Sequence, residues 1–333
     1  MFNNKTLLIT GGTGSFGRHF LFFVLEKFPK IKKIIILSRD ELKQYDLENK
    51  IDKQHIQKLR FFIGDVRDKE RLITAFQNVD YVVHAAALKQ VPKAEYNPGE
   101  YIKTNITGSQ NVIDAAIANS VKKIVSISTD KAAAPINLYG ATKLCSDKLF
   151  ISANNIIGSR DIKFSIVRYG NVLGSRGSIL PFFLKQKNSD YFPVTNEKMT
   201  RFNITLKEAC KMVLWTFENL KGGEIFVPKI PSFKIIDLAK AIDPKKKIKY
   251  IGIRPGEKIH EEMITSSDGN NTVDLNNKYY AILNNSNKKL LSSYSSAKKV
   301  KENFSYSSGN NNKFLNINEI KKLVKDYQKK YIN

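Results

Sequence analysis

The segment Ser128-Thr129-Asp130-Lys131, followed by Tyr139-Gly140-Ala141-Thr142-Lys143, carries an acid, two amines, a phenol and three hydroxyls. Tyr139 and Lys143 are four residues apart, so a helix opening here turns both to one side. An ammonium beside a phenol favours the phenolate. That predicts a Tyr139 able to act as a base well below the free value of about 10. Such a pair suits taking a proton from an alcohol while a hydride leaves its carbon. Plain alcohol oxidation needs nothing more, so Asp130 and Lys131 point to a further step on the substrate. A bland alternative is a Thr129 cap with an exposed Asp130–Lys131 pair. Their place at the carboxyl end of a central strand, just before Tyr139, argues for chemistry.

A second group lies at the start of the chain. Thr10-Gly11-Gly12-Thr13-Gly14-Ser15-Phe16-Gly17 follows a first strand and opens a first helix. Glycines at 11, 14 and 17 let the loop turn tightly, bring its backbone against a pyrophosphate and pack helix on strand. A glycine triplet is weak evidence alone and strong in this strand–helix setting. The second strand ends Ser38-Arg39-Asp40-Glu41-Leu42-Lys43. An acid placed first would select NAD. Here Arg39 comes first, with Lys43 one turn on, and both suit a 2′-phosphate, so NADP is expected. The competing possibility is that Arg39 only pairs with Asp40 or Glu41.

Short β-branched runs alternate with helical stretches. Strands are expected at 6–10, 33–38, 60–64, 81–85, 123–128 and 163–168, and one more at 224–227. Helices are expected at 16–28, 67–76, 104–120 and 139–154. Near-continuous apolar strands between helices predict an α/β fold: a doubly wound, Rossmann-type parallel sheet with a smaller C-terminal lobe. The division expected is 1–171 for the nucleotide-binding part with the reactive groups, 172–300 mainly for the substrate lobe, and 301–333 for a tail. The strand near 224–227 returns to the first part. In the tail, 307–312 reads as a loop, and Ile320, Leu323, Val324, Tyr327 and Tyr331 share a helical face that would dock.

Composition sets limits. The 333 residues are 42% hydrophobic and 26% charged, an ordinary globular mix. No apolar run approaches the roughly 18 residues of a membrane span. The net charge is +24, but the lysines are scattered without interleaved aromatics, which argues for solvated surface rather than nucleic acid. Two cysteines are too few for a disulfide framework and fit a reducing cytoplasm. Cys145, just past Lys143, is expected to pack as a small apolar group. His19, His55, His84 and His260 lack metal-ligand spacing, and no metal is expected.

The loop spacing Thr-Gly-x-x-Gly-x-x-Gly, Asp65-Val66, His84-Ala85-Ala86-Ala87, Asn105 and Tyr139-x-x-x-Lys143 together resemble the extended short-chain dehydrogenases/reductases. Further stretches are similar to the inverting UDP-N-acetylglucosamine 4,6-dehydratases that begin pseudaminic acid synthesis. These are 38–41, 64–68, Ala85-Ala86-Ala87-Leu88-Lys89, 128–132, 168–172, Met199-Thr200-Arg201-Phe202 and Arg254-Pro255-Gly256-Glu257-Lys258. Relatives that retain configuration carry Asp-Glu after the Thr, and Lys131 in place of that Glu speaks for inversion. Gln90 and Asn203 depart from the family's His and Trp.

The resemblance implies UDP-N-acetylglucosamine as substrate and a tightly bound NADP recycled each turnover. The cofactor would be held by the glycine loop with Thr13, Ser15 and Phe16, by Ser38, Arg39 and Lys43, by Asp65-Val66 at the adenine, and by Ala85, Ala86, Lys89 and Thr104. Tyr139 and Lys143, which also face the cofactor, would oxidise carbon 4. Lys131 would be the carbon 5 base, its pKa lowered, and Asp130 the acid for the carbon 6 hydroxyl, its pKa raised. Asn171 and Arg254 would hold the diphosphate and Glu257 the uridine ribose. Lys89, Thr129, Tyr139 and Arg201 would complete the sugar site. A cytoplasmic homo-oligomer, dimer or hexamer, is also implied, with flagellin glycosylation and surface polysaccharide both open as the destination of the sugar. Alternatives are a capsule-sugar dehydratase–epimerase, which lacks this Tyr, a UDP-sugar 4-epimerase, which needs no Asp130–Lys131, and a non-catalytic NADP-sensing protein.

Overall fold

The computed structural model describes residues 1–331 apart from Arg176 and Asn277. Its centre is a run of parallel strands: β1 (Thr6–Thr10), β2 (Lys33–Ser38), β3 (Leu59–Ile63), β4 (Tyr81–His84), β5 (Lys123–Thr129), β6 (Lys163–Tyr169) and β7 (Ile225–Pro228). Three antiparallel strands, β8 (Thr272–Leu275), β9 (Tyr279–Ile282) and β10 (Lys298–Lys299), extend one edge. The ten-stranded order is β10-β8-β9-β7-β6-β5-β4-β1-β2-β3. The chain reverses its direction of travel between β1 and β4, and that switch point opens a crevice at the strands' carboxyl ends.

Alternation along the strands builds two cores. Leu7 and Ile9 of β1 face α1 (Ser15–Lys27) and α6 (Leu206–Asn219) through Phe20, Val24, Val213 and Phe217. Leu8 between them faces α3 (Lys69–Ala75), α4 (Gly108–Ala118) and α5 (Leu138–Ser152) through Leu72, Val112, Ile113 and Phe150. Each such apolar side chain, buried completely, contributes about 1.5–3 kcal/mol. α2 (Glu41–Glu48) starts after β2, capped by Asp40, whose Oδ1 accepts from Lys43 N at 3.0 Å.

A third core forms the smaller lobe. α7 (Ile235–Ile242) and the terminal α8 (Ile317–Tyr331) bring Leu238, Ile320 and Val324 against Phe183, Phe192, Met199 and Phe233. The tail helix is thus docked, with Leu323 and Tyr327 partly buried; the side chain of Tyr331 is outside those described. Strand Thr200–Phe202 pairs with Ser232–Lys234, and Glu262–Ile264 pairs with Tyr306–Ser307.

Several boundaries differ from expectation for physical reasons. Residues 272–282 and 298–299, expected within the lobe, continue the large sheet, because β9 finds the open edge of β7. The helix expected over 104–120 is two pieces, a π-helical turn at Ile102–Thr107 and then α4. The wide turn presents Asn105, whose Oδ1 accepts from Leu88 N and whose Nδ2 donates to Leu88 O, both at 2.9 Å, and to Thr142 Oγ1 at 3.0 Å. Asp68 caps α3, so that helix begins at Lys69 rather than Arg67. Cys145 is exposed rather than packed: two residues past buried Lys143, a helix has turned about 200°.

Candidate active site

The carboxyl end of β5 feeds directly into a 3₁₀ turn, Asp130–Ala132, capped by Thr129. α5 follows, started by Asn137, whose Oδ1 accepts from Gly140 N at 2.8 Å. The same side chain donates through Nδ2 to Gly256 O at 2.8 Å, tying the start of the helix to the Arg254–Glu257 turn. Gly140 lets the helix press on the 3₁₀ turn, since a Cβ there would stand 2.2 Å from Lys131 O.

This geometry gathers Thr129, Asp130, Lys131, Tyr139 and Lys143 on one side of the crevice. Asp130 is completely buried. Its Oδ1 accepts from Thr129 Oγ1 at 2.9 Å and from Lys131 Nζ at 3.1 Å, while its Oδ2 has no partner. Burial, reinforced by the nearby Glu261 charge, pushes its carboxyl up against the pull of Lys131, as expected for an acid. Lys131 differs from expectation. Burial alone would depress it, but Asp130 and Glu261 together overcome that and raise its pKa. Its Nζ lies 3.0 Å from Glu261 Oε1 and 3.3 Å from Asn171 Oδ1, so each ammonium proton has an acceptor. The side chain stays 21% exposed, which leaves it open to a substrate.

Tyr139 also departs from its sequence reading. Burial pushes the phenol up to about 12, opposed by the Lys131 charge and a hydrogen bond with Thr129. Lys143 is buried as well, and burial lowers its pKa, with Asp147 one turn further along α5 favouring the charge. Behind them, Arg168 Nη2 reaches Asp147 Oδ2 at 3.2 Å, and Ser128 Oγ donates to the same oxygen at 2.8 Å.

The nucleotide side lies at the ends of β1 to β4. α1 begins at Gly14 with no side-chain cap and no acid in its first turn, so its free N–H groups face outward. A Cβ on Gly11, where φ is +66°, would stand 2.8 Å from Ala86 N and Cα, and one on Gly17 would stand 2.6 Å from Gly11 O. Thr10 Oγ1 accepts from the backbone N–H of Ala85 and Ala86, each at 3.2 Å, and bonds His84 Nδ1 at 2.9 Å. Burial pulls His84 down to about 3 and leaves it neutral. Thr13 and Ser38 are buried, Ser15 and Phe16 half-buried. Thr104 is buried in the π turn with its Oγ1 unpartnered. An uncapped helix start, a glycine cradle and an orphaned hydroxyl fit a dinucleotide.

At the far end of that crevice Arg39 Nη1 is 3.6 Å from Asp65 Oδ2 and half exposed, while Lys43 Nζ pairs with Asp40. Asp65 lies beside buried Val66. Burial raises the Asp65 carboxyl, but the Arg67 bonds, at 2.7 and 3.0 Å, outweigh it and set it below the usual range. On the substrate side Lys89 is exposed after β4. Arg254 is half exposed and 4.0 Å from Glu257 Oε1, and Glu257 Oε2 is buried without a partner. Arg201 is buried, its Nη1 donating to Thr200 O and Ile259 O. Gln90 is exposed, and Asn203 is buried with Oδ1 unpartnered.

Glu261 is the site residue that sequence reasoning missed. It is 3% exposed and also lies 3.6 Å from Arg201 Nε. Its only signal was its place between His260 and Glu262, just past the Arg254–Lys258 landmark.

A doubly wound sheet, a glycine loop after β1 and a buried Tyr-x-x-x-Lys beside β5 define an extended short-chain dehydrogenase/reductase. The chain belongs, within that class, to the family described as polysaccharide biosynthesis protein, whose model matches residues 7–283. It is 53% identical over 335 residues to a UDP-N-acetylglucosamine 4,6-dehydratase (inverting) of Campylobacter jejuni, covering 97% of this chain and 98% of that relative. It is 43% identical to a UDP-glucose 4-epimerase of Rickettsia akari, over 97% of this chain and 96% of the relative. The solved structure of Pen from Bacillus thuringiensis superposes with a TM-score of 0.88 at 38% identity, over 98% of this chain and 99% of that one. No helix among the described residues is long and apolar enough to cross a membrane.

Proposed function

We propose that the protein dehydrates UDP-N-acetylglucosamine to a UDP-4-keto-6-deoxy sugar with inversion at carbon 5, the first step of pseudaminic acid synthesis. The observation that carries this reading is the buried Asp130–Lys131 pair beside Tyr139, with Asp130 Oδ2 unpartnered. The glycine cradle would hold NADP⁺, which when bound would supply the hydride acceptor for carbon 4 and, once reduced, the hydride for carbon 6. Tyr139 takes the carbon 4 hydroxyl proton, with Lys143 behind it stabilising the phenolate. The new ketone acidifies the carbon 5 hydrogen, which Lys131 removes as the neutral amine. Asp130, protonated, gives its proton to the carbon 6 hydroxyl, which leaves as water. As hydride returns to carbon 6, carbon 5 takes a proton on the face opposite Lys131, which balances the one Tyr139 received from the carbon 4 hydroxyl.

In the proposed cycle the pair starts as the charged form, with Lys131 Nζ facing Asp130 Oδ1. One proton passed from Lys131 Nζ to Asp130 Oδ1 across 3.1 Å yields base and acid together, and the elimination restores the ion pair. Arg254 and Asn171 would meet the diphosphate and Glu257 the uridine ribose, with Lys89, Thr129 and Arg201 around the sugar. Arg39, half exposed beside Asp65, would meet a 2′-phosphate, and this supports NADP over NAD. The reading includes a cytoplasmic homo-oligomer.

Incubation with UDP-N-acetylglucosamine in deuterated water, followed by NMR, tests the reaction. A 4-keto-6-deoxy product with deuterium at an inverted carbon 5 is expected; retained configuration, or no dehydration, defeats the proposal. The Rickettsia likeness makes 4-epimerisation the second reading. That reaction would leave Asp130 and Lys131 without a task, and the same spectrum would show an axial hydroxyl at carbon 4 and an intact carbon 6.

The cradle has its own test. Gly11→Ala places a methyl against Ala86 at a positive φ and should cost about 1–3 kcal/mol of overpacking. Titration of the purified protein with NADP would show weaker binding, whereas unchanged affinity would remove Gly11 from the cofactor site.

A further inference from the structure

Glu261 has no task in the elimination, yet it is one of the most constrained side chains in the crevice. Its backbone is clamped on both sides by buried Ser308: Ser308 N donates to Glu261 O at 2.7 Å, and Glu261 N donates to Ser308 Oγ at 2.9 Å. Ser308 is in turn bonded to Thr200 Oγ1 at 2.7 Å, and Thr200 Oγ1 bonds His260 Nδ1 at 2.8 Å. So the loop at 307–312 and the strand Thr200–Phe202 hold one carboxylate in place. Glu261 Oε1 sits between Lys131 Nζ at 3.0 Å and Arg201 Nε at 3.6 Å.

We infer that Glu261 is a positioning residue for Lys131, fixing where the amine sits and over what pH range it is free to take the carbon 5 proton. The inference rests on the dehydration proposed above. Several groups face the amine. Asp130 comes from its own turn, and Glu261 from the segment that also carries His260 and Lys258. Arg201 comes from the strand Thr200–Phe202, the neutral phenol of Tyr139 from α5, and the neutral amide of Asn171 from the end of β6. Lys258 Nζ is engaged by Ala133 O at 2.8 Å. Among the described residues beyond the turn itself, Glu261 is the one anion that Lys131 contacts. Its charge favours the ammonium, while Arg201, sharing the same carboxylate, works against it.

The sign follows. The Asp130–Lys131 pair must share one proton so that the amine is free while the carboxyl is protonated, and activity rises with pH as the pair sheds a second, inactivating proton. Glu261→Gln removes the charge and keeps the shape, lowers the Lys131 pKa, and should move the acid limb of the kcat profile down by about one to three pH units. Glu261→Asp keeps the charge and should return the limb toward its wild-type position. Arg201→Gln removes the opposing cation and should move the limb upward, an independent reading if Glu261→Gln does not fold. A limb that stays put in the folded variants, with only a lower plateau, would reduce Glu261 to a structural residue and overturn the inference. Side-chain NMR of isotope-labelled lysine follows the Lys131 titration without substrate. The same downward shift in Glu261→Gln is expected there and its absence overturns the inference, while a wild-type protein that fails to dehydrate the sugar defeats only the function proposed above.

Discussion

Replacing Lys131 with Met should lower turnover by about 100-fold or more, the lower end for loss of a general base. Met keeps much of the stem and its packing, so the change isolates the amine. The deletion also leaves Asp130 and Glu261, both buried, facing each other without the cation that lies 3.1 Å from one and 3.0 Å from the other. Two buried carboxylates so placed cannot both stay charged, and the variant should take up a proton at neutral pH. NADP affinity should be unchanged, because the glycine cradle lies at the ends of β1 and β4 rather than on the β5 turn. Product formation followed by NMR, together with a cofactor titration, checks both halves. Near-normal turnover would remove Lys131 from the mechanism.

Replacing Arg168 with Met should destabilise the fold by about 3–5 kcal/mol, the range for breaking a buried ion pair from one side. Arg168 is 2% exposed and bonds Asp147 Oδ2 at 3.2 Å, Met263 O at 3.1 Å and Asp268 Oδ2 at 3.3 Å. It therefore joins β6 to the catalytic helix and to the strand beyond Glu261. Without it Asp147 keeps Ser128 and the charge of Lys143, and a buried carboxylate is under-compensated. A urea denaturation midpoint measures the loss. A change under about 1 kcal/mol would mean that apolar packing, not this guanidinium, holds the three elements together.

Much of this architecture was legible in local sequence. Thr6–Thr10 and Lys33–Ser38 are near-continuous apolar runs, and their boundaries match the expectation to the residue, because strands buried on both faces leave no ambiguity of period. The placement of the glycine loop and of Tyr139–Lys143 was legible because their spacing is local: one loop between β1 and α1, and two residues one turn apart on α5. The antiparallel edge was not. Thr272–Leu275 and Tyr279–Ile282 are short and partly exposed, and only the free edge of β7 tells them where to lie. The electrostatics were not legible either. Burial outweighs the Lys131 charge and reverses the expected shift of Tyr139, and the rise of Lys131 comes partly from Glu261, 130 positions away in sequence and 3.0 Å away in space. The upward shift expected at Asp130 is present, because burial, reinforced by the Glu261 charge, outweighs the pull of Lys131.

The Ser308 clamp on Glu261 also sets an order of events in the making of the protein. The strands β1 to β6, the glycine loop and the whole Thr129–Lys143 segment are synthesised first, and can pair with one another as they emerge. Residue 308 leaves the ribosome well after them. A nascent or C-terminally clipped chain would thus hold a finished nucleotide cradle and an oxidising pair beside a Lys131 whose partner carboxylate is unanchored. The glycine cradle is assembled before Glu261 is anchored against Lys131, and residue 308, arriving later, joins the two.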